Sequence, residues 1–336
     1  MAIQDELPDN VVQLMRSGIL AEFSTVSTAG VPIDTPVLYF PSNELNSFDL
    51  TTGLSYPAKA ERARKNPKVG LLIEGGPGEP VISIAGMAAV RDSDLQANAD
   101  RYISEASHTL PFNPDWALAR KAVWYWTRIL VEVTPARVLW WDNTAATDRA
   151  PQRWDAPADI VYPQSDAAPP GKVSDPSNWP PQPWQQLVGR ALERRDGGHL
   201  TVVDSEGYPL PIRCRTVKPI AEGFIVEMPK GLPWSITGAA TLSFRGFETF
   251  VGQVTTRDGA ITMHVERALP TLPAALDMMQ LWKPTPNTYE ELMRRLRHEI
   301  QRRGQPLPSI PAERPAPTEY YKLRIARFKA YGGSRS

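Results

Sequence analysis

The sequence predicts a mainly β protein in which two β-barrels follow one another along the chain. Short segments rich in β-branched and aromatic residues alternate with Gly, Pro and Asn turn signals, and few helical stretches interrupt them. The second half repeats the order of the first in a reduced form. A stretch with many prolines, residues 151–183, separates the halves and is typical of an extended connector. Short strands with few helices favour barrels over a doubly wound sheet.

Composition limits the classes of function. The 336 residues are enough for two domains, and 37 basic residues balance 37 acidic ones. We therefore expect neither nucleic acid nor a membrane as a partner. The only cysteine, Cys214, excludes a disulfide framework, and the four histidines form no metal-binding motif. The N-terminus lacks a signal-peptide pattern and the apolar runs fall short of ~20 residues, so we expect a soluble, cytoplasmic protein.

These signals divide the chain into four predicted parts. Residues 1–150 form the first barrel, with helices at 55–65 and about 92–109, and residues 151–183 form the linker. The second, degenerate barrel covers residues 184–275. Residues 276–336 form a C-terminal helix (288–304) and an extended tail, which we expect to wrap a partner subunit. The helix places Leu292, Leu296 and Ile300 on one face, so we expect it to pack on the body of the protein.

The two barrels are predicted to be a tandem duplication. The turn GVP at residues 30–32 corresponds to GYP at residues 207–209, and Gly86 corresponds to Gly252. The segments around these positions recur in the same order of helix, strand, turn and strand. One segment has no counterpart in the second copy: the basic stretch LSYPAKAERARKNP, residues 54–67.

This basic stretch is a candidate anion site. Ser55 is a candidate N-cap of a helix whose first turn contains Lys59, and helix N-termini present free N–H groups to phosphate. Arg62 follows on the same helix face. Thr51 and Thr52 end the preceding strand and offer hydroxyl groups. A solvated basic helix face explains the pattern equally well, and we assign residues 64–68 to such a face.

Three segments carry a resemblance to a known family: VSTAGVPIDTPVLYF, LTTGLSYPAKAERARKNPKVGLLI and EPVISIAGMAAV. Together they resemble the FMN-binding split β-barrel family typified by pyridoxamine 5'-phosphate oxidase. The resemblance covers residues 10–142, and residues 184–268 as a degraded second copy. It implies two tandem split β-barrels with the cofactor on the first. Members of this family usually dimerise, so it also implies either a homodimer or an internal pseudo-dimer.

The resemblance also implies a set of cofactor-binding residues. Lys59 with Thr51 or Thr52 would bind the FMN phosphate. The flavin ring would lie along Thr35, Pro36 and Val37. Trp141, at the end of the last strand, is a further candidate for the ring, and Arg128 at its start is a weaker one. Trp140 and Trp141 must point to opposite faces of that strand.

The chain departs from the pyridoxamine phosphate oxidases themselves. Those oxidases favour Arg at the position of Thr35, a basic residue at that of Phe40, and a second basic residue at that of Ala58. The chain therefore has fewer phosphate donors than those enzymes. Members of the wider family also bind a deazaflavin or haem, and both remain alternatives to FMN here.

The function that this resemblance implies is an FMN-dependent oxidoreductase. It would transfer hydride between the flavin and a small-molecule substrate, and NADH or NADPH would serve as the reductant. Tyr39, Phe40 and Trp141 near the ring favour a flat or aromatic substrate. No catalytic acid or base and no metal ligand can be assigned. A non-enzymatic flavin-binding protein is the other alternative.

Overall fold

The first half of the chain forms a closed six-stranded barrel. A computed structural model describes residues 3–76, 78–108, 115–175, 182–193, 197–244, 248–257, 260–270 and 281–332. The barrel strands are β1 (Leu20–Val26), β2 (Pro32–Pro41), β3 (Phe48–Gly53), β4 (Lys68–Glu74), β5 (Val81–Arg91) and β6 (Arg128–Trp141). Their order is β3-β2-β1-β4-β5-β6, and a β3–β6 pairing closes the ring. Closure removes the sheet edges that would otherwise invite aggregation.

Strand β6 closes the barrel because it is long enough to pair on both sides. It spans 14 residues, pairs along its length with β5, and pairs through its first half with β3. The register shifts between Ala85 and Gly86, which is a β-bulge. A Cβ on Gly86 would lie 2.6 Å from Val133 Cγ1, so the bend requires glycine.

Five helices cover the ends and one side of this barrel: α1 (Asp9–Ser17), α2 (Ala58–Lys65), α3 (Leu95–Ala106), α4 (Trp116–Ala119) and α5 (Val123–Trp126). Helix α1 buries the apolar side chains of Val11, Leu14 and Met15. Asp94 caps α3 by accepting a hydrogen bond from the Ala97 backbone N–H. Helix α2 connects β3 to β4 and packs on β1, β5 and β6.

The second half forms a curled half-barrel. Helix α6 (Trp184–Glu193) precedes strands β8 (His199–Val203), β9 (Pro209–Arg213), β10 (Thr216–Ile220), β11 (Gly223–Glu227), β12 (Gly238–Phe244), β13 (Glu248–Arg257) and β14 (Ala260–Ala268). Their order is β10-β11-β14-β13-β12-β8-β9. Strands β9 and β10 together take the place of β2: β9 pairs with β8, and β10 pairs with β11. The break between them leaves the described sheet open.

The tandem-barrel prediction is confirmed, and the duplication extends to fine details. Gly30 and Gly207 both have positive φ, +77° and +88°, in the turns before β2 and β9. The β13–β14 register shifts at Gly252, as the β5–β6 register does at Gly86. A Cβ on Gly252 would lie 1.9 Å from the His264 carbonyl oxygen. Both copies therefore bend their barrel strands at the same place by the same means.

The two barrels pack against each other through β1, β2, β4 and β5 of the first and β8, β9 and β12 of the second. At Gly70 the approach is so close that a Cβ would lie 1.9 Å from the Pro209 carbonyl oxygen. The Ser83 hydroxyl donates to the Pro211 carbonyl over 2.7 Å. The contact is thus continuous and includes a buried apolar cluster with residues from both halves.

The linker is tied to the first barrel. Its first residues form β7 (Gln152–Asp155), which pairs with β6, and residues 156–175 then run without regular secondary structure. Asp166 accepts hydrogen bonds from the backbone N–H groups of Asp92 and Ser93. The remaining residues before α6 lie partly outside the described part of the chain.

The C-terminal region contains helix α7 (Pro286–Arg303) and helix α8 (Glu319–Gly332). Helix α7 packs on the first barrel through Leu292 and Leu296, as its pattern predicts. The prediction of an extended tail, however, is wrong for its last part, because residues 319–332 contain no proline and form α8. Helix α8 packs on the protein's own first barrel, where Arg324 is fully buried and its guanidinium donates to the Tyr39 carbonyl.

A buried cluster of ion pairs, here called the α7 ion cluster, fixes α7 to the first barrel. Its members are Glu61, Arg64, Asp92, Glu299, Arg302 and Arg303. Arg303 lies 2.9 Å from Asp92 and 2.7 Å from Glu299, and it is 1 % exposed. In the described part of the chain, no helix has the length and apolar composition needed to cross a membrane.

Candidate cofactor site

The basic stretch lies at one end of the first barrel. Strand β3 ends at Gly53, and helix α2 begins at Ala58, so Lys59 lies in the first helical turn as the sequence predicts. Ser55 is not the N-cap. Its hydroxyl donates to the Leu292 carbonyl on α7 over 3.1 Å, and Pro57 takes the N-cap position. The docking of α7 therefore uses the hydroxyl that the local sequence offers to α2.

Three cationic side chains converge beside this helix: Lys59, Arg62 and Arg128. Arg128 begins β6 directly opposite Gly53, the last residue of β3. Burial, followed by the positive charges of Arg62 and Arg128, lowers the pKa of Lys59 to about 7, while Glu22 acts in the opposite direction. Burial also lowers the pKa of Arg62 to about 10. Within the described residues, none of the three cations forms an ion pair with an acidic side chain.

Two of these cations are held in place by uncharged partners. The Arg62 Nε donates to the Thr25 hydroxyl over 2.7 Å. The Arg128 guanidinium lies 4.2 Å from the ring centroids of both Tyr102 and Tyr125, and its Nη2 donates to the Tyr102 hydroxyl over 3.1 Å. The Arg128 Nε is buried without a hydrogen-bond partner. The rings and hydroxyls orient the charges but do not neutralise them.

This arrangement is suited to a phosphate. A concentration of positive charge in a partly buried site is costly until an anion binds, because like charges repel more strongly where water is excluded. A phosphate offers several acceptor oxygens, which match the unpaired Arg128 Nε and the Lys59 ammonium. The end of the site next to α2 therefore has the charge and the hydrogen-bond donors that could hold a phosphate group.

The two threonines of β3 differ in what they can offer. The Thr52 hydroxyl donates to the Tyr56 carbonyl over 3.2 Å and stabilises the turn before α2. Thr51 points to the opposite side of the strand and has no such bond among the described contacts. Both are buried. Their roles in binding the phosphate stay predictions.

The segment predicted to lie along the ring is Thr35, Pro36 and Val37 on β2. Pro36 is exposed and Thr35 is partly exposed, while Val37 is buried. Pro36 lies opposite Glu22 on β1, and Glu22 is also the acidic residue that acts on Lys59. Glu22 on β1 thus lies opposite the exposed part of this segment and also acts on the cation cluster. Contact of this segment with a ring is not tested by the structure.

The aromatic residues named from the sequence are buried. Tyr39 and Phe40 are 0 % and 3 % exposed and lie beneath α8, where the Arg324 guanidinium covers both rings. The tertiary fold, in which the C-terminal helix returns to β2, therefore removes them from the surface that a substrate could reach.

Trp141 and its neighbour Trp140 do point to opposite faces of β6. Trp140 belongs to the core of the first barrel, and Trp141 belongs to the apolar cluster between the barrels. Trp141 is 2 % exposed, and its indole N–H donates to the Arg149 carbonyl over 3.1 Å. The structure gives Trp141 a packing role, so its contact with a cofactor stays a prediction.

The interpretation of residues 64–68 as a solvated face is wrong for two of its members. Arg64 belongs to the α7 ion cluster, and its guanidinium lies 2.7 Å from Asp92. The Lys68 ammonium donates to the Glu206 carbonyl of the second barrel and lies 5.3 Å from the Tyr208 ring centroid. Only Lys65 is exposed as expected. Both errors arise because distant parts of the chain pack on this helix.

The four histidines lie in different parts of the fold: at the end of α3, on β8, on β14 and on α7. His108 and His298 each hold a backbone carbonyl, that of Pro315 at 2.8 Å and that of Lys172 at 2.9 Å. His264 is exposed, and His199 is buried between the barrels. Within the residues described, no group of three His, Cys, Asp or Glu side chains could hold a metal ion.

Sequence reasoning missed two features of this region. Tyr102 and Tyr125, which hold Arg128, come from α3 and α5 and carry no motif. His199, at the start of β8, carries no motif either, yet it faces carboxylates of the first barrel. A pairing between residues more than a hundred positions apart leaves no signal in a single sequence.

Comparison with known proteins gives a similarity of fold. No family model matches the chain, and no curated protein is similar to it. Among solved structures, a putative pyridoxamine 5'-phosphate oxidase from Listeria innocua is 18% identical and covers 39% of this chain and 94% of its own, with a TM-score of 0.29. General Stress Protein 26 from Bacillus anthracis is 15% identical over 46% of this chain and 100% of its own, with a TM-score of 0.32.

A third similar structure is a pyridoxamine 5'-phosphate oxidase-related, FMN binding protein from Nostoc punctiforme. It is 15% identical over 39% of this chain and 80% of its own, with a TM-score of 0.30. Scores and identities this low carry no argument about the activity of this chain, which has to rest on its own residues. The solved structures to which this chain is similar thus include a putative pyridoxamine 5'-phosphate oxidase and a related FMN binding protein.

Proposed function

We propose that the chain binds FMN on its first barrel and is an FMN-dependent oxidoreductase. The observation that supports this most directly is the cluster of Lys59, Arg62 and Arg128: among the described residues these three cations form no ion pair, and Glu22 is the acidic residue that acts on Lys59. The closed barrel supports it further, because β3, α2 and β6 bring the three side chains to one end of the barrel.

In this proposal each residue has a defined task. Lys59 and Arg128 bind the phosphate, and Arg62 adds charge while its Nε remains on Thr25. Tyr102 and Tyr125 keep the Arg128 guanidinium oriented toward the phosphate. Bound FMN would supply the hydride chemistry, and the protein would supply orientation and polarity.

The second barrel would take the place of a partner subunit. It covers β1, β2 and β4 of the first barrel, beside the segment proposed to meet the ring. We therefore propose an internal pseudo-dimer rather than a site that needs a second chain. The substrate would be a small organic molecule, with NADH or NADPH as the reductant; the burial of Tyr39, Phe40 and Trp141 leaves a preference for a flat or aromatic molecule without support.

Three of the four histidines, all except the exposed His264, are engaged or enclosed by the chain, which favours FMN over haem. The rings of His108 and His298 are each bonded to a carbonyl of the chain, and His199 is buried between the barrels. A deazaflavin also carries phosphate and would use the same cations, so it remains the nearer alternative.

The test is the visible spectrum of the purified protein, followed by identification of the released cofactor and an FMN titration. We expect a flavin spectrum, or tight binding of added FMN, and reduction of the bound flavin by NADH or NADPH. A deazaflavin or haem spectrum would replace FMN by that cofactor. A colourless protein that takes up no FMN would refute the proposal, and FMN binding without reduction or turnover would leave a non-enzymatic flavin-binding protein.

A further inference from the structure

A buried polar cluster lies where the two barrels meet, away from the C-terminal helices. We call it the interface cluster. Its members are Glu22, Ser24 and Asp34 of the first barrel and His199, Thr201 and Thr241 of the second, and each is buried. Buried polar groups destabilise a contact unless they are paired, so the pairing within this cluster affects how strongly the barrels are docked.

Asp34 is the centre of the interface cluster. Its carboxylate accepts hydrogen bonds from three hydroxyls: Ser24 Oγ, Thr201 Oγ1 at 2.6 Å and Thr241 Oγ1 at 2.9 Å. Two of these donors belong to the other barrel. These hydroxyls give the buried Asp34 carboxylate the hydrogen-bond partners that a polar group needs inside the contact.

His199 is the titratable group of the second barrel that faces this carboxylate. Its Nε2 lies 3.5 Å from Asp34 Oδ2 and 3.9 Å from Glu22 Oε2. The other charged groups nearby are already matched, because Glu74 on β4 pairs with Arg213 on β9 at 3.0 Å. Among the described contacts, a neutral imidazole at this place would leave the buried Asp34 carboxylate with hydroxyl partners but no positive charge beside it, whereas Glu22 also interacts with Lys59 on α2.

We infer that His199 is a proton-dependent lock between the barrels: in its protonated form it holds Asp34 and Glu22, and loss of the proton loosens the contact. This inference does not depend on the cofactor. It concerns the docking of the second barrel, which would hold whether or not FMN binds to the first.

The direction of the effect follows from the environment of the ring. Burial by itself would lower the pKa of His199, but the carboxylates of Asp34, Glu22 and Glu74 around the ring outweigh it and raise the pKa. The stabilisation is therefore complete below the unfolded-state pKa of about 6.5. It is lost as the pH rises through the higher pKa of the folded protein.

The first test is an NMR titration of the full chain with ¹⁵N-labelled histidine. The protein has only four histidines, so His108→Gln, His264→Gln and His298→Gln variants identify the His199 signal by elimination. We expect His199 to remain doubly protonated at pH 7, and to lose its proton at a lower pH in Glu22→Gln. A neutral His199 at pH 6.5 would overturn the inference.

The second test is hydrogen exchange of β4, β8 and β9 between pH 7 and pH 9, corrected for the intrinsic exchange rate. We expect protection to fall by about tenfold for each unit by which the pKa of His199 is raised. His264→Gln, on the exposed side of the same barrel, should show the same loss as the unchanged protein, and His199→Gln should show low protection throughout. Protection that does not change with pH in the unchanged protein would also overturn the inference. If His199→Gln does not fold, the titration and the exchange of the unchanged protein still decide.

Discussion

Replacing Lys59 by alanine separates a cofactor-binding role from a structural one. Lys59 lies in the first turn of α2, close enough to Arg62 and Arg128 for their charges to lower its pKa, and no acidic side chain of the described residues pairs with it. In the free protein this charge is unfavourable. With a phosphate bound, it becomes a favourable partner.

The structure gives the size of both effects. A hydrogen bond to a charged group contributes roughly 1.5–3 kcal/mol, so Lys59→Ala should raise the Kd of FMN by about 10- to 150-fold. The stability of the cofactor-free protein should stay the same or increase, because the substitution relieves repulsion among three cations and removes no ion pair. A residue that served only the fold would show a loss of stability.

The assay is a fluorescence titration with FMN and with riboflavin, which has the same ring but no phosphate. Lys59→Ala should weaken FMN and leave riboflavin unchanged. Lys65→Ala is the matched control, since Lys65 is exposed in the last turn of the same helix and carries the same charge. An unchanged Kd of FMN in Lys59→Ala, or an equal loss for riboflavin, would refute the assignment of the phosphate to Lys59.

Three further predictions concern pH and packing. The Kd of FMN should rise with pH above the Lys59 pKa of about 7, because the phosphate binds the protonated side chain and the neutral amine must first take up a proton. In Lys59→Ala, FMN titrations from pH 6.5 to 8.5 should show no such rise in Kd. Gly70→Ala should destabilise the protein by about 1–3 kcal/mol in denaturant unfolding, since its Cβ would lie 1.9 Å from a carbonyl oxygen of the second barrel. Gly189→Ala is its control, with nothing within 4 Å of the added atom, and an equal loss there would contradict the packing argument. Arg303→Ala should cost roughly 3–5 kcal/mol because it leaves buried carboxylates of the α7 ion cluster unpaired. Arg294→Ala, whose side chain is 67 % exposed on the same helix, should cost less than about 1 kcal/mol, and similar losses for both would show that the cluster is not tightly coupled.

The parts of the fold that could be predicted are those determined by local patterns. Side chains alternate between the two faces of a strand, and certain turns need a glycine with positive φ. The spacing after β3 places Lys59 in the first turn of α2. The duplication was visible because Gly30 and Gly207, like Gly86 and Gly252, meet the same backbone requirement in each copy. These constraints act within a few residues, so a single sequence records them.

The parts that could not be predicted depend on contacts between distant segments. Arg64 and Lys65 are neighbours in one basic run, but only Arg64 meets a carboxylate, because α7 and the residues after β5 happen to lie beside it. Tyr39 and Phe40 have the pattern of a substrate surface, and α8 covers them. In both cases burial depends on a segment more than twenty positions away in the chain.

By itself the sequence determined the tandem barrels, the strand and turn positions and the place of Lys59, because each depends on spacing along the chain. The tertiary structure decided which charges remain unpaired. Within the described residues, it paired Arg64 with Asp92 and left Lys59, Arg62 and Arg128 without an acidic partner. It also brought His199 to Asp34. The electrostatic energy of a charge depends on its distance to every other charge and on its burial, and both are properties of the folded chain.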